Sequence, residues 1–183
     1  MRKCLFTFFL LFTIDNVNAS NKENIIKNLK NINNLSFNFE QNINGKTEKG
    51  NCIIEYPKKI FCTYELKNKK ILVSNGKYLV IKTEKSHYIY PLKKTFLNII
   101  LDKNFLLTKI KIASEYKIND KIISLKFLEN DQEINLFFDK KNHDLIGWQS
   151  LDIYQNLSIT SIISLSKNIT IKKNLFKLPK KNN

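Results

Sequence analysis

The sequence predicts a mainly β fold with two or three short helices: one long antiparallel sheet, curled into an open, twisted half-barrel with a helical lid across its mouth. Three observations predict this. Segments of period-two alternation recur along most of the chain, which marks half-buried strands. Turn signals separate them at short intervals, so successive strands pair in meander order. Only two stretches carry a helical period, and a sheet of so many strands has to curl or be covered.

Residues 21–33 read as the first helix. Ile25, Ile26, Leu29 and Ile32 share one face, with Lys27, Asn28 and Lys30 away from it, and Ser20 or Asn21 supplies a cap. Residues 35–41 alternate strictly and form a strand. A turn near 45–50 leads into a hairpin reversing at Pro57, which puts Cys52 and Cys62 opposite each other on one face. Strands at 70–74 and 77–83 flank Asn75-Gly76, a hairpin signal because both central residues of a type I′ turn need positive φ. A strand at 86–92 follows, with Tyr88 and Tyr90 on one face. Thr95 then caps a short apolar helix at 96–103 that contains Leu97, Ile100 and Leu101. Further strands fall at 108–118, 121–128, 133–138, 145–154 and 157–166, with turns at 129–131 and 140–143. The tail from 172 is basic and reads as loose after Phe176.

Residues 1–19 read as a cleavable secretory signal peptide. Arg2 and Lys3 precede an uncharged apolar run at 4–14. That run is too short for the roughly 30 Å hydrocarbon core, which needs about 20 residues. Val17-Asn18-Ala19 ahead of Ser20 suits signal peptidase; the alternative is a membrane anchor left uncut. Cleavage exposes Ser20 rather than a lipidated Cys. The remainder, 20–183, suits a single domain, with no second run of spanning length, so a soluble exported protein is expected.

Lys and Arg total 31 against 16 Asp and Glu, a formal charge of +15 that loss of the leader changes by one unit. Nucleic acid is not the expected partner: the lysines are spread along the chain rather than gathered in a stripe. Asn, Ile and Lys are abundant where Gly, Pro and Trp are scarce, as AT-rich codons give, and zinc-finger, RNP-type and basic-zipper patterns are absent. Attraction to anionic membrane surfaces fits the charge better. Cys52 and Cys62, an even pair in an exported chain, suggest a disulfide. Closing so small a loop stabilises by roughly 3 kcal/mol in the chain-entropy view; the alternative is two free buried thiols.

Catalytic motifs are missing: Gly-x-Ser-x-Gly, His-Glu-x-x-His, Walker and Gly-rich nucleotide turns do not occur. His87 and His143 lack a second ligand at metal spacing, so neither a metal nor an enzyme is expected. A carboxylate pair assembled by folding stays open. The many aromatics on predicted strands fit either ordinary core or the lining of an apolar cavity.

Their order resembles a known family. Phe39-Glu40-Gln41 is similar to an early Phe-x-Gln. Residues 55–64, Glu-Tyr-Pro-Lys-Lys-Ile-Phe-Cys-Thr-Tyr, resemble Arg-Pro-Gly-x-Phe-Arg-x-x-Tyr. Residues 71–77, Ile-Leu-Val-Ser-Asn-Gly-Lys, resemble Ile-Val-Ser-Asp-Gly-Lys, and 91–97, Pro-Leu-Lys-Lys-Thr-Phe-Leu, resemble Pro-Leu-x-x-Thr-Pro-Leu. Leu145-Ile146-Gly147-Trp148-Gln149 with Asp152, and Asn174-Leu175-Phe176, extend the likeness. Together these resemble the periplasmic outer-membrane lipoprotein carrier family, LolA, over nearly the whole exported part.

The resemblance implies an open barrel with a helical lid over an apolar cavity, and a monomeric, non-enzymatic carrier free in the periplasm that uses no cofactor. The implied partners are acylated lipoproteins, an inner-membrane lipoprotein-releasing ABC transporter that loads them, and an outer-membrane acceptor. Phe37, Phe39, Ile54 and Leu72, with Val80, Phe127, Phe138 and Trp148, are the expected cavity lining. Ile25, Leu29, Tyr56, Phe96, Leu97 and Leu101 are the expected lid. Two departures stand out: Tyr56 replaces the family's lid-holding Arg and offers one hydroxyl in place of a guanidinium fork, and Phe96 replaces the Pro that opens the lid helix. The alternatives are a related-fold module that binds or senses lipids or lipoproteins without moving them, and an exported hydrolase.

Overall fold

The structure, a computed structural model, describes residues 20–152 and 154–181. The predicted leader at 1–19 lies outside the described residues. Eleven strands form one open antiparallel sheet. They are β1 (Asn34–Ile43), β2 (Lys46–Glu55), β3 (Lys59–Tyr64), β4 (Ile71–Asn75), β5 (Tyr78–Lys82), β6 (His87–Pro91), β7 (Ser114–Lys117), β8 (Ile122–Glu129), β9 (Gln132–Asp139), β10 (Leu145–Leu151) and β11 (Leu157–Lys167). The order β6-β5-β4-β3-β2-β1-β11-β10-β9-β8-β7 makes two meanders joined at a single β1–β11 seam. The sheet is not closed into a barrel, and three α-helices lie on its inner face.

Helix α1 (Asn21–Lys30) starts at a capping box: the Ser20 hydroxyl accepts from the Glu23 N–H, and the Glu23 carboxylate accepts from the Ser20 N–H. Its Ile25 and Leu29 are fully buried. A 3-10 turn at Leu92–Lys94 precedes α2 (Leu97–Leu101), and α3 (Lys103–Ile112) follows at once, capped by Asp102, whose carboxylate accepts from the Phe105 N–H.

Three local expectations are corrected. Residues 108–112 belong to α3, not to a strand. Thr108-Lys-Ile-Lys-Ile112 alternates, but Leu106 and Ile110, four apart, are both fully buried in the common core, and that packing selects the helical period. Thr95 does not cap α2: its hydroxyl donates to the Leu92 carbonyl at 2.8 Å and closes the preceding turn. The Asn75-Gly76 turn is not type I′. The strands end at Asn75 and Tyr78, so the two loop residues are Gly76 and Lys77 rather than Asn75 and Gly76; only Gly76 has positive φ (99°), and the Asn75 carboxamide oxygen accepts from the Lys77 and Tyr78 N–H groups.

The tail is not loose. Asn168 clamps the α1–β1 connection, accepting from the Asn33 N–H and donating to the Asn31 carbonyl. Further on, the Phe176 ring lies beside the Lys59 ammonium, the Lys82 ammonium donates to the Lys180 carbonyl, and the His87 ring hydrogen-bonds the Pro179 carbonyl. Strand alternation puts Lys59, Lys82 and His87 on the outer face, with Val73 and Val80, which are 1% and 0% exposed. The tail is therefore a strap over that face, and its half-buried Leu175, Phe176 and Leu178 account for two buried valines behind the sheet.

Candidate functional site

The inner face divides into two halves. Over β8 and β9, Ile123, Leu125, Phe127, Ile134, Leu136 and Phe138 form one apolar face, and α3 lies on it through Leu106 and Ile110. Helix α1 packs on α3. The other half has no long helix above it. There β1–β5 with β10 and β11 line a half-open cavity of about 200 Å3, partly roofed by Thr95, Phe96 and Leu97 at the start of α2.

The cavity floor follows from strand register. Phe37 and Phe39 of β1 face Cys52 and Gly50 of β2, and Cys62 and Tyr64 of β3 stand beyond them. Gly50 is required by close approach: a Cβ there would lie 2.1 Å from the Thr63 carbonyl oxygen and 2.8 Å from the Phe39 ring. Its absence lets Phe39 lie across β2 and meet Tyr64 edge to face at 5.1 Å. Trp148 stands between the halves, with Phe37 at 6.5 Å and Phe96 at 6.3 Å between ring centroids. Leu72, Leu79 and Ile81 complete the apolar wall. Cys52 and Cys62, directly paired across β2 and β3, are bridged by a disulfide on the floor.

Phe37, Phe39, Leu72, Trp148, Phe96 and Leu97 of the expected site residues line this cavity. The others do not. Phe127 and Phe138 sit under α3 in the filled half. Ile54 points inward but is sealed in the packed core with Leu35 and Ile60. Val80 faces outward, because it alternates with Leu79 and Ile81, which face in. Ile25, Leu29 and Leu101 are fully buried and hold the helices down rather than cover the space.

Tyr56 makes no latch through its hydroxyl. The phenol is buried, its oxygen has no hydrogen-bond partner among the described residues, and burial pushes its pKa up. Other groups hold the helices. The Lys58 N–H donates to the Leu101 carbonyl at 2.7 Å, and its ammonium pairs with Asp102 at 3.0 Å. Lys103 donates to the Ile32 carbonyl, Lys22 to the Ala113 carbonyl, and Asn28 to Asp144, while Lys109 pairs with Glu129. These ties fix α1, α3 and the C-terminal end of α2. The opposite end of α2, which roofs the cavity, has no side-chain cap.

Sequence reasoning missed the far end of the cavity, where polar groups gather beside Ile43 and Leu151. Gln41, Ser150, Ser158 and Thr160 line it, together with Asp152, Tyr154 and Lys70. Gln41 donates to the Ser158 and Thr160 hydroxyls at 3.0 and 3.2 Å. Lys70 is paired with Glu48 at 2.5 Å and sits 4.1 Å from the Tyr64 ring centroid. Tyr154 reaches across to Tyr90 of β6; hydrogen bonding to Tyr154, then burial, pushes the Tyr90 phenol up to about 12. The available signal was on β11, where Ser158 and Thr160 alternate with Leu157 and Ile159. Among the described residues, no group of three His, Cys, Asp or Glu side chains is placed to hold a metal.

The family described as outer membrane lipoprotein carrier protein LolA matches residues 30–179. No curated protein matches the sequence. Among solved structures, MucB is similar at 10% identity and TM-score 0.52, over 88% of this chain and 64% of MucB, so the chain spans less than two thirds of that protein. MucB of Pseudomonas aeruginosa has also been solved with MucA. The LolA superfamily protein NE2245 from Nitrosomonas europaea is similar at 7% identity and TM-score 0.45, over 87% of this chain and 99% of that one. The lipoprotein LppX of Mycobacterium tuberculosis is similar at 10% identity and TM-score 0.45, over 83% and 96%. At such identities the MucB likeness speaks to the fold alone.

Proposed function

The chain belongs to the LolA family of outer membrane lipoprotein carrier proteins, and from that premise we propose that it is a periplasmic carrier. It takes lipoproteins from an inner-membrane ABC transporter, shields their acyl chains, and delivers them to an acceptor on the outer membrane. The observation that carries this reading is the aromatic-lined space left between the sheet and α2. Each CH2 removed from water is worth about 0.8 kcal/mol, so a long acyl chain exposed to solvent costs on the order of 10 kcal/mol. A carrier supplies the missing apolar surface.

The resting cavity, about 200 Å3, is below the roughly 300–1,000 Å3 of pockets for drug-sized ligands. Loading therefore displaces the roof. The uncapped end of α2, carrying Phe96 and Leu97, is the part free to lift, and the work of lifting it offsets part of the gain on loading and so permits release. A photo-crosslinker at Leu97, with a radiolabelled lipoprotein supplied in the periplasm, tests this. Crosslinking at Leu97 with none at Phe138, in the filled half, is expected. Native mass spectrometry without any acylated species under loading conditions overturns it.

A second reading retains the cavity without the hand-over, as a lipid- or lipoprotein-binding module. The observation that keeps it is the cavity itself, which is needed to hold an acyl chain whether or not the chain is passed on. A depletion strain that still sorts its lipoproteins selects this reading.

A further inference from the structure

We infer that the polar end of the cavity is a second, distinct subsite that recognises the neutral carbonyl at the head of an acyl chain. This rests on the acyl-binding reading above and adds an orientation to it: carbonyl toward the β10–β11 turn, hydrocarbon toward α2.

Three independent observations converge on this end. First, Ser150, Ser158 and Thr160 are 4%, 3% and 3% exposed, yet line the cavity. They are neighbours by register, Ser150 opposite Ser158 and Thr160 opposite both Trp148 and Gln41. Second, their hydrogen-bonding capacity is unspent. The Ser150 hydroxyl makes no hydrogen bond to a described residue. Those of Ser158 and Thr160 accept from Gln41, and each hydroxyl has a proton of its own to give. Third, this end of β11 is built inside out. Leu157 and Ile159 are 46% and 39% exposed on the outer face, while Ser158 and Thr160 are buried on the inner one. A strand that exposes its aliphatics and buries its hydroxyls gives up stability, and such reversals concentrate at functional sites.

The surrounding charges select the ligand class. Lys70 is already neutralised by Glu48. The Asp152 carboxylate accepts from the Tyr154 and Asn156 N–H groups at the same end. Among the described residues that line this end, the balance is one negative charge with no unpaired cation, which disfavours a carboxylate or phosphate head. Hydroxyl donors beside an apolar channel fit an ester or amide carbonyl attached to a long chain. That group is common to the acyl anchor of a protein and to a free glyceride.

Displacement of a fluorescent hydrocarbon probe from the purified protein tests this. The competitors are monopalmitoyl glycerol, hexadecyl glyceryl ether, palmitate and a diacylglyceryl-cysteine peptide. The ether keeps chain and head but lacks the carbonyl. The expected result is that the monoglyceride competes about tenfold better than the ether, with palmitate weakest. Ser150→Ala and, separately, Ser158→Ala should shrink the ester preference, read within each variant as the ratio of monoglyceride to ether affinity. Because the Ser150 hydroxyl has no hydrogen-bond partner among the described residues, its truncation breaks no described hydrogen bond, and the melting temperature of each variant reads its folding. Preferential binding of the peptide assigns the carbonyl to a protein anchor; equal binding of the glyceride assigns it to acyl esters generally. Equal affinity for ester and ether, or a preference that survives both substitutions, overturns the inference while leaving the cavity reading intact. Failure of every competitor and of the probe itself overturns both.

Discussion

The two halves of the inner face begin from the same material and end differently. Over β8 and β9, aliphatic and phenylalanine side chains meet α3, and the space between is filled. Over β1–β5 similar side chains meet a five-residue helix by its end, and space remains. The cavity thus arises because no long helix covers this half, not because its lining is of a special kind. The open half also holds itself together by other means: a disulfide across β2 and β3 on the floor, and the C-terminal strap behind β3–β6.

The largest expected effect separates the halves directly. Phe138→Ala should cost about 3–5 kcal/mol, the usual result for a fully packed phenylalanine. Phe39→Ala, beside space that is already empty, should cost less than half as much and weaken binding of a fluorescent acyl probe. Urea unfolding of both variants measures this, and equal losses break the comparison. Next in size is the floor bridge. Cys52→Ala with Cys62→Ala should lower stability by about 3 kcal/mol for a loop this short, and reductant should reproduce the loss in wild-type protein but not in the variant.

Tyr56→Phe should raise stability by about 1–2 kcal/mol, because it removes a buried hydroxyl that has no partner among the described residues. A lower melting temperature would mean that Tyr56 has a polar role. The smallest change in stability comes from Lys58→Gln. Its ion pair with Asp102 is partly exposed, so it is worth about 0–1 kcal/mol. Since it ties down the C-terminal end of α2, stopped-flow uptake of the probe should nevertheless quicken. Unchanged uptake would place the moving part elsewhere.

The strand pattern and most of the reversals were readable because alternation and turn residues are local. Residues 108–112 were not, since Thr-Lys-Ile-Lys-Ile satisfies period two while Leu106 and Ile110 satisfy a helix; only the core beneath them decides. Val80 was unreadable for a related reason: Leu79-Val80-Ile81 is apolar throughout and carries no phase, and its outward burial depends on a tail about a hundred residues away. Phe127 and Phe138 could not be told from Phe37 and Phe39, because the distinction lies in what stands above them. Ser150, Ser158 and Thr160 were not singled out from the sequence, because hydroxyl residues on the strands of a half-buried sheet usually face outward.

The β1–β11 seam has a consequence for the order of assembly. Every other strand pairs with its neighbour in sequence, and such hairpins close quickly; the seam must bring Leu35 to Lys167, and long-range pairing of this kind is slow. The cavity walls stand on both sides of that seam, with Phe37 and Phe39 on one strand and Thr160 on the other. A nascent chain whose last strand has not yet emerged can fold its first meander, but it has no chamber. Formation of the chamber is thereby deferred until β11 has been made.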